Sequence, residues 1–250
     1  MKIAIISDIH GNIDALESVL RDIASEDCQK IFCLGDIAMA GPEPSKTIHK
    51  IHALMQSKDF HIIQGNTDNM LSVFSFDTYK EILNTNTVMG SAYLADSQLL
   101  TQEEKDFLKN LPPKEEIELF GIKILLVHGS PRRNNENIYP NLKIEEIEEM
   151  VSGTNANIIF CGHTHMPCGY QTNTEQTIVN VGSVGRPFSE KPDSCYAIMD
   201  INENDKTYTI KHKFVEYNVL EASEKIKKRG FEGADKLAKM LLKATSRYPE

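Results

Sequence analysis

"MKIAIISDIHGN", residues 1–12, runs from a short apolar stretch directly into an aspartate, a histidine and a glycine. Residues 2–7 read as a strand, and residues 12–26 as an amphipathic helix with Ile13, Leu16, Leu20 and Ile23 on one face. The rhythm repeats. Residues 31–34 (IFCL) predict a second strand, 44–58 a helix with Ile48, Ile51 and Leu54, and 60–63 a third strand. A βαβαβ order implies parallel strands joined by right-handed crossovers. Ligands of such sheets gather at the carboxyl ends of the strands.

Residues 70–116 break this rhythm and read as mostly helical. Thr101 followed by Glu104 is a capping-box start, and Pro112-Pro113 a stop. The segment is expected to be an insertion forming a cap or a dimer surface. Beyond it, "IELFGIKILLVHG" (117–129) predicts a hairpin through Gly121, followed by a helix over 141–152. Strand-like runs at 157–165, 177–183, 194–201 and 207–217 predict a second, mixed or antiparallel sheet. The tail from 219 reads as one or two surface helices. No repeat or linker is visible, so residues 1–250 are expected to form a single domain.

The 250 residues are 40% hydrophobic and 25% charged, which suits a water-soluble globular protein with a sizeable core. A formal net charge of −9 argues against general binding to nucleic-acid polymers. An acidic protein that handles phosphates needs local cations, and bound metals supply them. The apolar run before Asp8 is too short for a signal-peptide core, and no window approaches the ~20 apolar residues of a membrane span. Five cysteines, Cys28, Cys33, Cys161, Cys168 and Cys195, form an odd set partly inside apolar runs, as expected of a reducing cytoplasm.

Five places share one grammar, in which an apolar strand ends and metal-ligating side chains follow. They are "AIISDIHGN" (Asp8, His10), "IFCLGDIA" (Asp36), "HIIQGNTD" (Asn66), "KILLVHGS" (His128) and "IIFCGHTH" (His163, His165). Two carboxylates, one amide oxygen and four imidazoles suit Mn²⁺, Fe, Zn²⁺ or Co²⁺ rather than Ca²⁺. Seven donors exceed one open site and suffice for two metals sharing a carboxylate. Metal pairs about 3.5–4 Å apart are a recurrent device of phosphoester hydrolysis.

In this order and spacing, the motifs resemble the calcineurin-like metallophosphoesterase superfamily. "GDIAMAGPEP", "GNTD" and "VNVGSVGRP" are similar to its small bacterial and archaeal phosphodiesterase branch. The resemblance implies a four-layer α/β/β/α sandwich, two mixed β-sheets flanked by helices. It also implies two divalent metals (Mn, Fe, Zn, Ni or Co). Asp8, His10, Asp36 and His165 would hold the first, and Asp36, Asn66, His128 and His163 the second, with Asp36 bridging. Asp36, Asn66 and His128 would then act in catalysis through the metals, a bridging hydroxide attacking phosphorus. The expected partner is a small or nucleotide-like phosphoester, with no membrane and a homodimer left open. Rival readings are a protein phosphatase, a dinucleoside-polyphosphate hydrolase and a non-catalytic scaffold.

Many relatives carry histidine where Thr67 stands, and a threonine hydroxyl cannot replace it as an acid near pH 7. Asp68 would orient such a histidine. Arg132, Arg133 and Arg186 are candidate phosphate contacts beside Thr67, since guanidinium suits phosphate; for the Arg132-Arg133 pair a solvated loop is the plainer reading. Asn12 and Ser183 are candidate supports of the metal ligands. His163 and His165, two apart, are expected on one side of an extended strand. A structural zinc site through Cys161 and Cys168 is the weaker alternative. His49 and His52 read as a solvated helix face, and His61 and His212 as surface positions.

Overall fold

Two five-stranded sheets stack face to face in a computed structural model that describes residues 1–57, 59–189 and 191–246. The first third forms β1 (Lys2–Ile6), α1 (Ile13–Ser25), β2 (Lys30–Cys33), α2 (Pro44–Leu54) and β3 (Phe60–Ile62). The strands pair in parallel, Ile3 opposite Lys30 and Ile31 opposite Phe60. Asn12 caps α1 by accepting the Ala15 N–H, and Pro44 opens α2 where a missing N–H costs nothing. Helix α2 ends at Leu54, short of the expected 58, and Lys58 lies outside the described residues.

Residues 66–109 are helical: α3 (Asn66–Ser72), α4 (Phe76–Thr85), α5 (Thr87–Leu99) and α6 (Gln102–Lys109), the last with the Thr101/Glu104 capping box. The hairpin of β4 (Glu115–Leu119) and β5 (Ile122–Leu126) turns at Phe120-Gly121, where both residues take positive φ. Next come α7 (Ile144–Val151), β6 (Ile158–Cys161), β7 (Cys168–Gln171) and β8 (Thr177–Asn180). Two long strands, β9 (Ser194–Asn202) and β10 (Thr207–Val215), precede α8 (Val219–Lys228) and α9 (Ala234–Lys243).

The expected second sheet has the order β4-β5-β6-β8-β7, while β9 and β10 join the first, giving β10-β9-β1-β2-β3. Strand β9 runs antiparallel beside β1, with Ile5 opposite Ala197. Its near-continuous burial is that of a strand covered on both faces, a pattern that does not reveal which sheet it joins. Strand β7, only four residues and half-exposed, was missed altogether.

Alternation along the strands builds three cores. Ile3, Ile5, Phe32, Ile124, Leu126, Ile158 and Phe160 fill the space between the sheets. Ala4, Ile6, Cys33 and Ile62 face the helices on the first sheet. Leu125, Ile159, Cys161 and Ile178 face α7 on the other side. The layering is therefore α/β/β/α. His61 and His212 are not surface residues. Both lie on the inward faces of edge strands, half-buried, with His61 Nδ1 2.8 Å from Glu115 Oε1 and His212 Nε2 2.7 Å from the Asn180 carbonyl. Among the described residues no helix is long and apolar enough to cross a membrane.

Candidate metal centre

Five strands deliver the candidate ligands from their carboxyl ends. Asp8 and His10 follow β1, Asp36 follows β2, Asn66 follows β3, His128 follows β5, and His163 and His165 follow β6. Asp8, His10, Asp36, His163 and His165 all take positive φ, between 49° and 69°. Such conformations cost about 1–3 kcal/mol each in a non-glycine residue and persist only where surroundings impose them. Here the loops impose them on one another: Asp8 N–H donates to the Gly35 carbonyl (3.0 Å), and His10 N–H to that of Asp36 (2.9 Å). His163 N–H donates to Asp8 Oδ2 at 2.9 Å. The two histidines are thus beyond the strand, in left-handed backbone, and not on one extended face as expected.

Three imidazoles are oriented in the same way. Nδ1 of His10 faces the Met39 carbonyl (2.7 Å), Nδ1 of His128 that of Leu34 (2.7 Å), and Nδ1 of His165 that of Arg186 (2.6 Å). A carbonyl can only accept, so each Nδ1 carries the proton and each Nε2 turns inward. His10 Nε2 and His165 Nε2 then stand 3.1 Å apart. Two facing lone pairs at that distance repel unless positive charge lies between or beside them.

Carboxylates complete the surroundings. Asp8 Oδ1 is 3.3 Å from His165 Nε2 and 3.8 Å from His10 Nε2, and this buried oxygen has no hydrogen-bond partner among the described residues. Asp36 Oδ2 lies 3.6 Å from His10 Nε2 and 3.4 Å from His128 Nε2. Asn66 Oδ1 is 3.0 Å from His128 Nε2. Burial opposes ionisation of Asp8, yet His165 and His128 outweigh it and hold the carboxyl at about 2. Burial is likewise overcome at Asp36, which His128 and His10 hold far below the carboxylate range. Burial disfavours charge on His128, but Asp36 and Asp8 raise it to about 10. His10 moves oppositely, to about 4, through burial and the neighbouring His165. The field favours a cation between these groups.

Two sets of ligand atoms each lie within 4.8 Å of one another: Asp8, His10 and His165, and Asp8, Asp36 and His128. The donors therefore fit divalent metal ions. Asp8 is common to both sets, while Asp36 faces both His10 and His128. His163 stands apart, its ring edge-on to His128 with centroids 5.3 Å apart. Cysteine plays no part, since neither set among the described residues contains one, and Cys161 packs toward α7. All five cysteines are free thiols.

The supports are partly those expected. Ser183 Oγ donates to the Asp8 carbonyl (2.7 Å), and Asn12 Nδ2 to that of Gly185 (2.9 Å), fastening the loop after β8 to the loop after β1. Asn180 was missed; its amide donates to the Gly162 carbonyl (2.7 Å) and Thr164 Oγ1 (2.9 Å) beneath His163 and His165. Its only sequence signal was a polar residue ending an apolar strand.

Asp68 does something other than orient a histidine. Its carboxylate accepts the N–H groups of Asp36 (2.8 Å), Ile37 (2.8 Å) and Gly65 (2.9 Å), joining the Asp36 loop to the Asn66 loop. Thr67 N–H donates to Asp36 Oδ1 (2.9 Å), and its buried hydroxyl has no hydrogen-bond partner among the described residues. Gly65 has ordinary extended backbone, φ −81° and ψ 172°. Close approach is what requires glycine there, because a Cβ would overlap Asp36 Oδ1 and the Asp36 nitrogen. Gly65→Ala is expected to cost about 1–3 kcal/mol and to displace a ligand. A melting temperature and metal affinity equal to wild type would sink that account.

The arginines divide. Arg132 Nε and an Arg133 guanidinium nitrogen each bond Glu136, both at 2.8 Å, and Arg132 also reaches Glu149 on α7 at 3.0 Å. Glu136 is buried and held at about 2, chiefly by Arg132. These two guanidinium groups are thus turned on a carboxylate. Arg186 instead lines a small cavity with His10, and its charge helps depress the His10 pKa.

Residues 1–204 match the calcineurin-like phosphoesterase superfamily domain. An uncharacterized protein of Methanocaldococcus jannaschii is 31% identical over 245 residues, 90% of this chain and 92% of that protein. A metallophosphoesterase structure from Sphaerobacter thermophilus aligns with TM-score 0.76 and 26% identity over 98% of this chain and 99% of its own. A hypothetical protein of Pyrococcus horikoshii OT3 shares the fold, with TM-score 0.84 and 19% identity over 97% and 98% of the two chains.

Proposed function

The chain belongs to the calcineurin-like phosphoesterase superfamily, and from that membership we propose that it hydrolyses small or nucleotide-like phosphodiesters with two divalent metals. One observation carries this reading. Three imidazoles spend their Nδ1 protons on carbonyls and converge their Nε2 atoms on two buried carboxylates, one of which has an unpartnered oxygen. When bound, a metal pair would acidify water at neutral pH and neutralise phosphate charge.

The chain's own residues then have separable tasks. Asp8, His10 and His165 would hold a metal on one side, and Asp36, His128 and Asn66 one on the other, with His163 the remaining candidate ligand beside His128. Asp8, common to both ligand sets, and Asp36, which faces both His10 and His128, are the two carboxylates that two metals would share. Asp36 is kept in place by the Thr67 N–H. Arg186, which lines a small cavity with His10, would be the arginine to meet a phosphate oxygen. The Thr67 hydroxyl is no acid near pH 7, so substrates whose leaving oxygen needs little protonation are favoured. We also take the chain to act as one domain in the cytoplasm.

The test is hydrolysis of an aryl phosphodiester and an aryl phosphomonoester by metal-stripped protein, re-supplied separately with Mn²⁺, Ni²⁺ or Zn²⁺. Stripped protein is expected to be inactive, and at least one metal to restore turnover with the diester faster. Added metal is also expected to raise the melting temperature, since only the folded state assembles the ligands. Turnover of neither ester with any metal would favour a binding scaffold.

A further inference from the structure

The peptide group joining Met39 to Ala40 is hydrogen-bonded at both ends. Its carbonyl accepts His10 Nδ1–H at 2.7 Å, and its N–H donates to Asp96 Oδ2 at 2.8 Å. Asp96 lies on α5 and is fully buried. Its other oxygen is 2.6 Å from Arg229 Nη2, at the end of α8, and Arg229 Nη1 donates to the Gly41 carbonyl at 2.9 Å. Ala40 itself takes φ +63°, a conformation that needs outside support.

We propose that Arg229 and Asp96 are positioning residues for the His10 metal ligand, acting through the Met39–Ala40 peptide. This rests on the metal-dependent reading above. A histidine that ligates a metal commonly donates its other N–H to a carboxylate, which fixes the ring and raises its basicity. Here a planar peptide stands between the carboxylate and the imidazole. A negative charge at its N–H end polarises the carbonyl at its other end, because hydrogen bonds in series strengthen one another. Burial pushes the Asp96 carboxyl up to about 6, the adjoining Arg229 guanidinium opposes that rise, and the same arginine pins the loop at Gly41.

The other two imidazoles lack this arrangement. The peptide that holds His165 joins Arg186 to Pro187, which has no N–H. The peptide that holds His128 joins Leu34 to Gly35, whose N–H meets no carboxylate among the described residues. Both proposed residues come from outside the strand-end motifs. Arg229 also lies beyond residues 1–204, where the family match ends.

The experiment is calorimetric titration of the metal-stripped full chain with Mn²⁺ at neutral pH. The variants are Asp96→Asn, Arg229→Gln, His10→Gln, the His10→Gln/Asp96→Asn double mutant, and Ile122→Val as a stability control at the far end of β5. Asp96→Asn keeps the side chain's shape but removes its charge. It is expected to weaken one binding event by about 10–100-fold, the same event that His10→Gln weakens. The double mutant is expected to bind no more weakly than His10→Gln alone, and Ile122→Val to bind as wild type. Wild-type affinity in Asp96→Asn, or losses that add in the double mutant, would overturn the inference. If Asp96→Asn does not fold, Arg229→Gln decides, with at least about a threefold loss expected in that event and no change overturning it. A wild-type chain that binds no Mn²⁺ would overturn the functional reading along with it, whereas failure of the relay alone leaves wild-type binding intact.

Discussion

Asp36→Ala is expected to lower kcat/KM for an aryl phosphodiester by about 10³-fold, ~4 kcal/mol of transition-state stabilisation. Asp36 Oδ2 faces both His10 and His128, while Oδ1 takes the Thr67 N–H. Its loss therefore strips negative charge from both sides of the site at once. The metal-free variant is expected to melt below wild type, because the attraction of Asp36 to His128 and His10 outweighs the cost of its burial and the buried Thr67 N–H loses its acceptor. The metal-induced rise in melting temperature should shrink sharply. Retained activity within about tenfold of wild type, with full metal stabilisation, would remove Asp36 from the site.

Asp68→Ala is expected to be the most destabilising single change in these loops. Three N–H groups, of Asp36, Ile37 and Gly65, lose their acceptor in a fully buried place. An unsatisfied buried donor costs about 1–3 kcal/mol, so the loss should reach roughly 3–5 kcal/mol. In a chain of this size that corresponds to a fall of about 10 °C in melting temperature. Asp68→Asn, whose amide can accept at one atom only, should fall between. A fall of less than about 3 °C for the alanine variant would mean that water or other groups satisfy the loops without Asp68.

The difference between these two aspartates shows what local sequence reveals. Asp36 follows the end of an apolar strand, a pattern shared by four other places, and its placement at the site was readable from that. Asp68 sits in "GNTD" two residues after Asn66, and nothing local distinguishes a side chain that aims at a ligand from one that ties two loops together. Arg132 and Arg133 follow His128 closely, yet their partner is Glu136, a residue that sequence proximity offered equally well. Asp96 and Arg229 gave no signal at all, since each is an ordinary charged residue in a helical stretch.

The βαβαβ start, the donors at the strand ends and the inventory of oxygen and nitrogen ligands are all written in local sequence. These follow from apolar periodicity and from side-chain chemistry within a few residues. Folding in three dimensions is what puts β9 and β10 in the first sheet, Asp8 in both ligand sets, and the Nε2 atoms of His10, His128 and His165 inward. Each depends on pairings between residues distant in the chain: β1 with β9, His128 with the Leu34 carbonyl, His10 with His165. Local propensity contains no information about such pairings, because they arise when two sheets pack their apolar faces and bring their carboxyl ends to one edge.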